Sequence, residues 1–330
     1  MSIWIIVFIV SLWALVKGSA WFLRGAERIG LHFGMSPFVV GALLVALGTS
    51  LPELVASIAG VFHGVPEIVV SSAVGSNIAN ILLIVGAGAV VARSISITKN
   101  LIDSELPVLS VAMAITIFVL FDGVVTFYES IILVVSYIIY VVYAVVGAGG
   151  GEESPLMTQE EKDIEELLGK QKGLISRLFY LLSEKKDIIF FFIGIIFVIS
   201  GANYLVQSIV AIATISHIAP AIISATALSF GTSLPELVVF IKSVISKRYD
   251  IAIGGVIGSN IFNALAVIGI PGLFTSLPIN HNTLTIAIPM MALVTFLIVI
   301  AGISRKIYHW EGMFFVLLYI LFIMKMFSFS

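Results

Sequence analysis

The chain of 330 residues contains no cysteine, and only 11% of its residues are charged. The absence of cysteine excludes disulfide bonds and thiolate metal sites. The shortage of charge excludes a soluble globular domain, in which about 25% of residues are charged. Hydrophobic residues make up 60% of the chain and the mean hydropathy is +1.16. A surface that faces water could not be made from this composition.

Apolar stretches that are long enough to cross a bilayer recur along nearly the whole sequence. A spanning helix needs roughly 20 apolar residues, and these stretches are too continuously apolar for the alternating strands of a barrel. The pattern predicts an all-α membrane protein with ten transmembrane helices, at residues 3–23, 37–62, 67–91, 102–120, 124–146, 187–212, 218–244, 251–274, 283–303 and 310–328.

The basic residues indicate the direction of these helices. All but two of the 17 Lys and Arg residues lie in or next to the odd-numbered loops, and the even-numbered loops contain none. Positive charge accumulates on the cytoplasmic side, so both termini are predicted to lie outside the cell. We expect a multi-pass protein of the plasma membrane whose partner is the lipid bilayer. Nothing in the sequence indicates a nucleic-acid partner or an obligatory protein partner.

Two short motifs occur twice at one constant separation. GTSLPEL at 48–54 recurs at 231–237, and GSNIAN at 75–80 recurs as GSNIFN at 258–263, both with an offset of 183 residues. A constant offset over this distance indicates a duplicated five-helix unit. Because five is odd, the second copy must cross the membrane in the opposite direction. The repeats are therefore predicted to be inverted, as in many secondary transporters.

The duplication sets the predicted organisation of the chain. Residues 1–147 form the first five-helix repeat, and residues 187–330 form the second. Between them, 148–186 opens with glycines and is rich in acidic residues, without the spacing of an EF-hand loop. We interpret it as a cytoplasmic acidic linker with an amphipathic helix near 158–182, in preference to a regulatory cation sensor.

Two acidic residues differ from the others in their position. Glu53 and Glu236 lie well inside predicted spans, at equivalent places in the two copies of the first motif. A carboxylate in the membrane is costly unless it is paired, and it marks a functional site by default. Pro52 and Pro235 cannot bond to the carbonyl four residues earlier, so both helices should break or bend there and free main-chain carbonyls.

The motifs offer oxygen ligands only, because neither contains His or Cys. This argues against zinc, copper and iron. Calcium takes roughly 6–8 oxygens and two carboxylates would balance its charge, whereas magnesium tends to keep its waters. Sodium accepts similar oxygens with fewer charges. The oxygen-bearing candidates are Ala46 (by its carbonyl), Thr49, Ser50, Glu53, Ser76 and Asn80 in the first copy, and Ser229, Thr232, Ser233, Glu236, Ser259 and Asn263 in the second.

Other motif residues have a structural interpretation as well. Asn77 and Asn260 lie one residue away from the ligand face, so they could either ligate an ion or bond helices together. Close helix packing is the expected role of Gly75, Gly86, Gly254, Gly255 and Gly258.

Taken together, the four motifs resemble the α-repeats of the cation/calcium exchanger superfamily, most of all its prokaryotic sodium/calcium exchanger branch. The resemblance covers essentially the whole chain and implies the same ten helices, outside termini and cytoplasmic loop. It implies that Ca²⁺ is ligated by Glu53, Glu236, Thr49 and Thr232. It implies Na⁺ ligands at Ser50, Ser233, Ser76 and Ser259 and at the carbonyls of Ala46 and Ser229. Some potassium-dependent relatives carry Asp where Asn263 stands, so no potassium requirement is expected.

These observations predict a secondary active antiporter that exchanges Ca²⁺ for Na⁺ by alternating access at a mid-membrane site with two glutamates. It is expected not to be an enzyme and to need no cofactor. The first and sixth helices, with Gly18 and Gly201, are candidates for a sliding gate. A proton-coupled antiporter that uses the same glutamates is the main alternative. A cation channel or an intramembrane hydrolase fits the motifs less well.

Overall fold

A computed structural model describes residues 1–32, 50–97, 105–148, 174–247 and 249–328. These ranges consist of helices, four short strands and their connections. The helices are α1 (Ser2–His32), α2 (Leu51–Phe62), α3 (Glu67–Ala92), α4 (Leu106–Val119), α5 (Phe127–Ala148), α6 (Leu174–Ser216), α7a (Pro220–Thr232), α7b (Leu234–Ile245), α8 (Tyr249–Phe262, continued by Asn263–Val267 and Ile268–Gly272), α9 (Thr283–Ser304) and α10 (His309–Ser328).

The helices of the described residues are those of a membrane protein. Seven of them are long and apolar enough to cross a bilayer, or eight if the bent pair α7a and α7b forms one span. The helices α2 and α4 are apolar but shorter, at 12 and 14 residues, and both follow ranges outside the described part of the chain. A helical membrane protein is confirmed, whereas the ten transmembrane helices stay a prediction.

The sixth helix differs from the expected boundary between linker and second repeat. It runs without interruption for 43 residues from Leu174 to Ser216, so it begins well before residue 187. The stretch from 174 to 193 contains neither glycine nor proline, and nothing in it ends a helix. Most of the amphipathic helix expected near 158–182 lies outside the described residues.

The four strands join the two halves of the chain at two places. They are β1 (Ser94–Ser96), β2 (Val124–Val125), β3 (Leu277–Pro278) and β4 (Lys306–Tyr308), and the pairs are β1 with β4 and β2 with β3, both antiparallel. Ser94 lies opposite Tyr308, and Val125 lies opposite Leu277. The repeat offset of 183 residues relates Ser94 to Leu277 and Tyr308 to Val125, so the two pairs are equivalent.

Two groups of helices differ in burial. The motif helices α3 and α8 form much of the main apolar core, with Ile78, Ile81 and Ile261 almost fully buried. In contrast, α1 and α6 contribute to a second cluster, in which Leu15 and Leu205 pack near α2. Their crossing depends on small residues. An added Cβ on Gly18 would lie 2.6 Å from the Cβ of Phe197, and one on Gly201 would lie 2.7 Å from the Leu15 nitrogen.

Candidate cation-binding site

The helix that carries the second copy of the first motif is bent just before its glutamate. Helix α7a ends at Thr232 and α7b begins at Leu234, and the two segments make an angle of 41°. Pro235 lies in the first turn of α7b, where its missing N–H leaves the preceding turn without a hydrogen bond. The bend predicted for this copy is confirmed. In the first copy, α2 begins at Leu51, and residues 33–49 lie outside the described range.

Both glutamates lie in the first turn of a helix and are buried. Glu53 follows the start of α2, and Glu236 follows the start of α7b. Their exposed fractions are 1% and 6%. The amino end of a helix carries partial positive charge, which favours a carboxylate at this position. The serines that precede these helices, Ser50 and Ser233, do not cap them with their side chains.

The two copies of the first motif face each other at Glu53. The Thr232 side chain lies within hydrogen-bonding reach of the Glu53 carboxylate. The same hydroxyl also lies 3.0 Å from the Leu228 carbonyl, which competes with the carboxylate for its single proton. The other carboxylate oxygen of Glu53, Oε2, is buried and has no hydrogen-bond partner among the described residues. A carboxylate of the first half and a hydroxyl of the second half thus border one site.

The second motif adds oxygen atoms from α3 and α8. Asn80 and Asn263 each begin a short π-helical turn, Asn80–Val85 in α3 and Asn263–Val267 in α8. Such turns are rare and occur often at functional sites. Neither turn is predicted from the sequence, because no residue in the motif is a known signal for a π turn. They widen the backbone at equivalent positions of the two copies.

Several motif side chains lack the hydrogen bonds that buried polar atoms normally make. In the described part of the chain, no partner is found for the hydroxyls of Ser50, Ser76 and Ser233, for the Asn80 Oδ1 atom, or for either amide atom of Asn263. Each such atom costs about 1–3 kcal/mol when it stays unsatisfied. A ligand that accepts oxygen lone pairs would remove this cost. Apart from Asn263 Nδ2, which is a donor, these atoms are oxygens of the kind that ligate hard cations.

Asn77 and Asn260 bond α3 to α8 reciprocally. The Nδ2 atom of Asn77 donates to the Asn260 carbonyl at 3.1 Å, and the Nδ2 atom of Asn260 donates to the Asn77 carbonyl at 3.4 Å. Asn80 Nδ2 donates to Asn260 Oδ1 at 2.9 Å. Of the two interpretations left open by the sequence, the structural one accounts for these amide groups. The Oδ1 atom of Asn77 has no partner in the described part.

Ser229 holds α7a against α3. Its hydroxyl lies 2.9 Å from the Ser72 carbonyl and 2.8 Å from the Ser224 carbonyl. Its own carbonyl, a predicted ion ligand, accepts hydrogen bonds from the Ser233 nitrogen at 3.1 Å and from the Thr232 hydroxyl at 3.3 Å. A cation at this oxygen would compete with the Thr232 hydroxyl.

The glycines of the motif helices have different roles. An added Cβ on Gly75 would lie 2.2 Å from the Ala225 carbonyl oxygen, and one on Gly86 would lie 3.0 Å from the Gly312 carbonyl oxygen. Close packing is confirmed at these two positions. At Gly255 an added Cβ meets no heavy atom of the described structure within 4 Å, and at Gly258 it meets only the Tyr140 hydroxyl, at 3.5 Å. At Gly255 the described residues provide no close contact, so close packing stays a prediction there.

Ten of the twelve predicted site residues lie in the described part of the chain. Ala46 and Thr49 lie outside it. The ten belong to α2, α3, α7a, α7b and α8 and the turns before α2 and α7b, and these helices pack against one another. None is more than 6% exposed. The structure therefore places the described candidates in one buried region.

Comparison with known proteins agrees with this geometry. Residues 3–146 and 186–327 match the family described as sodium/calcium exchanger protein. The chain is 31% identical to an uncharacterized membrane protein of Methanocaldococcus jannaschii over 95% of each chain. It is 30% identical to the sodium/calcium exchanger MaX1 of Methanosarcina acetivorans over 98% of each.

A solved structure has the same fold. The sodium/calcium exchanger from Methanococcus jannaschii is 30% identical to this chain and covers 98% of each chain, with a TM-score of 0.60. The family match spans both halves of the chain and omits only its ends and the central linker region. The chain belongs to the sodium/calcium exchanger family.

Proposed function

We propose that the chain is a secondary active antiporter that exchanges Ca²⁺ for Na⁺ across the plasma membrane. One observation carries the proposal. Two buried carboxylates, Glu53 and Glu236, each begin a helix beside buried oxygen atoms, several of which lack hydrogen-bond partners. The family and relatives that are named sodium/calcium exchangers support the choice of the two ions. As a member of this family, the chain is an ion transporter rather than an enzyme, and it has no cofactor.

The ligands divide according to charge. The two carboxylates would balance a bound Ca²⁺, with the hydroxyls of Thr49 and Thr232 completing its shell. Na⁺ needs fewer charges and would use the remaining neutral oxygens, those of Ser50, Ser76, Ser233, Ser259, Asn80 and Asn263 and the carbonyls of Ala46 and Ser229. Because the two carboxylates are the only formal charges among these proposed ligands, both ions would rely on them for charge compensation, so that one ion displaces the other.

The proposed topology is ten transmembrane helices in two inverted repeats, with both termini outside and residues 148–186 in the cytoplasm. Three pairs of contacts related by the offset of 183 residues support a two-fold relation between the halves. These are the two exchanged strand pairs, the reciprocal bonds of Asn77 and Asn260, and the reciprocal crossing at Gly18 and Gly201. Unrelated halves would not repeat their contacts in this way.

Alternating access follows from the electrostatics of the site. A site with two bare carboxylates resists crossing an apolar barrier, whereas a cation-filled site is compensated. This difference would enforce exchange and suppress leak. Helices α1 and α6, which cross closely at Gly18 and Gly201, are the proposed moving gate.

Flux measurements on the purified full chain test the proposal. In proteoliposomes loaded with Na⁺, uptake of ⁴⁵Ca²⁺ should start when external Na⁺ is diluted, and it should not respond to an imposed pH gradient. Liposomes without protein and liposomes loaded with K⁺ are the controls. Ca²⁺ uptake that is indifferent to internal Na⁺ but follows the pH gradient would favour the proton-coupled alternative. Uptake without any counter-ion would indicate a channel.

A further inference from the structure

The row of unpartnered hydroxyls continues beyond the motif residues in one direction. Ser57 lies one turn after Glu53 in α2, Ser72 lies one turn before Ser76 in α3, and Ser224 lies one turn after Pro220 in α7a. All three are at most 1% exposed, and none of their hydroxyls has a hydrogen-bond partner among the described residues. The proposed function assigns no role to them.

These three serines differ from other serines and threonines in the same helices. A buried hydroxyl in a helix usually donates to the carbonyl one turn earlier. Ser71 does so to the Glu67 carbonyl at 2.7 Å, and Thr226 does so to the Ile222 carbonyl at 2.7 Å. Ser72 and Ser224 lie next to or near these residues and make no such bond. Their hydroxyls are therefore available to a ligand.

Contacts between the helices place the three serines at a similar depth in the bundle. The Ser229 hydroxyl lies within 2.9 Å of the carbonyls of both Ser72 and Ser224, so these two residues adjoin one atom. Helices α2 and α3 pack antiparallel, with Gly60 against the Ile68 side chain. Ser57 lies one turn from Gly60, and Ser72 lies one turn from Ile68 in the same direction along the bundle axis. Ser57 and Ser72 therefore lie at a similar depth. The three hydroxyls thus belong to one layer of the helix bundle.

The residues related to this layer by the repeat offset carry no hydroxyl. The repeat offset places Phe240 at the position of Ser57 and Gly255 at the position of Ser72. The Phe240 ring is buried against Gly88, where an added Cβ would lie 2.1 Å from it. Buried hydroxyls therefore continue beyond Glu53 on the side of Ser57, whereas the Phe240 ring occupies the equivalent position beyond Glu236.

An open cavity lies at the same end of the bundle as the serine layer. It has a volume of about 420 Å³ and is lined by the end of α6 and the start of α7a, including Thr214, His217 and Pro220. Pro220 is one helical turn from Ser224. The turn between α2 and α3 lies at the corresponding end of the serine layer, and the charge pattern of the loops predicts that both connections are extracellular.

We propose that Ser57, Ser72 and Ser224 form a staging position for a partly hydrated Na⁺ between the external cavity and the glutamate site, and that the positions related to them by the repeat offset do not form one on the cytoplasmic side. This proposal rests on the proposed function. Three hydroxyls without formal charge suit a monovalent ion, since Ca²⁺ requires carboxylates for charge balance. Passage also requires sites that bind weakly enough to release the ion onwards. The chain therefore favours Na⁺ entry from outside.

The test compares the two sides of the membrane. Right-side-out and inside-out vesicles containing the full chain are used to measure the Na⁺ concentration that gives half-maximal exchange. Ser72→Ala, and separately Ser57→Ala, should raise this concentration about five-fold on the external side, the effect of one lost hydroxyl ligand, and leave it unchanged on the cytoplasmic side. The matched control is Ser71→Ala, whose hydroxyl is already bonded to the Glu67 carbonyl of its own helix and lies 3.0 Å from the Thr283 hydroxyl.

Each outcome decides a different point. Absence of Na⁺-dependent Ca²⁺ exchange by the unaltered chain would refute the proposed function. The unaltered chain could exchange normally while the variants show no shift in the half-maximal Na⁺ concentration, or an equal shift on both sides. Either result would overturn the staging position and indicate that ordered water binds these hydroxyls. The thermal midpoint of each variant in detergent should not fall, because the deleted hydroxyl has no partner to lose. A fall comparable with that of Ser71→Ala would assign these serines to packing and also overturn the proposal.

Discussion

The motif helices α3 and α8 and the crossed pair α1 and α6 are built on different principles. The most apolar stretches of α3 and α8 are 94% and 78% buried, whereas those of α1 and α6 are 22% and 33% buried. Directional hydrogen bonds between Asn77 and Asn260 fix α3 to α8. Helices α1 and α6 meet through glycines and apolar side chains. The directional hydrogen bonds allow α3 and α8 only one position relative to each other. The apolar contacts of α1 and α6 are not directional, so they permit these helices to slide.

The largest expected effect comes from the ligands held by the rigid core. Glu53→Gln and Glu236→Gln should each reduce Na⁺-driven Ca²⁺ flux by about 100-fold or more, because one carboxylate cannot balance Ca²⁺. Both variants should fold, since the amide keeps the size of the side chain. Flux in proteoliposomes and size-exclusion profiles provide the two measurements. Transport that survives in either variant would contradict the site assignment.

The second effect tests whether the crossed pair moves against the core. An added Cβ on Gly231 of α7a would lie 3.3 Å from Leu12 Cγ of α1, close to the separation that a disulfide needs. The chain has no native cysteine, so Leu12→Cys with Gly231→Cys introduces a single cross-link. Oxidation should lower exchange about ten-fold or more, and reduction should restore it. The single-cysteine variants are the controls, and full activity of the oxidised pair would exclude sliding at this contact.

Core rigidity is tested by two glycines of the motif helices, Gly75 in α3 and Gly255 in α8, whose described surroundings differ. Gly75→Ala places a Cβ against the Ala225 carbonyl, and backbone must shift to admit it. We expect a loss of roughly 2 kcal/mol in the free energy of unfolding. At Gly255 an added Cβ meets no heavy atom of the described structure within 4 Å, so Gly255→Ala should cost less than Gly75→Ala, and alanine favours a helix by about 1 kcal/mol. Thermal midpoints in detergent distinguish the two, and equal midpoints would refute the packing role of Gly75.

The smallest effect separates the asparagines that bond helices from those that face the ion. Asn260→Ala leaves the Asn80 amide without its acceptor and should cost about 1–2 kcal/mol of stability. Asn263→Ala deletes an amide that has no partner in the described structure, so stability should hold while ion affinity falls. Thermal midpoints measure the stability of the two variants. The Ca²⁺ and Na⁺ concentrations for half-maximal flux measure their ion affinity. Equal loss of stability in the two variants would contradict this division.

Local sequence patterns predicted the parts of the site that depend on local chemistry. Pro235 predicted a bend, and the buried positions of Glu53 and Glu236 followed from the apolar stretches around them. Contacts between helices were not predictable in the same way. Nothing in the motif distinguishes Asn80, which bonds across to Asn260 of α8, from its equivalent Asn263, which bonds to nothing described. These roles depend on which helix lies opposite, and that is decided by tertiary packing.

The same limit explains two other differences. The π turns at Asn80 and Asn263 adjust the helices to their neighbours, and residue propensity carries no signal for them. The early start of α6 was missed because charged residues near 184–187 suggested a water-exposed linker, although they are compatible with a continuing helix. Ser57 and Ser72 were missed because they lie outside the repeated motifs.

The exchanged strands have a consequence for biosynthesis. Ser94 finds its partner in Tyr308, and Val125 finds its partner in Leu277, so neither strand of the first half can pair until much of the second half has been made. Contacts between residues so distant in sequence form late and slowly. The first half is thus synthesised before the hydrogen-bond partners of β1, of β2 and of the Asn77 amide have been made. Glu53 of the first half is therefore made, and enters the bilayer, before Glu236 of the second half exists.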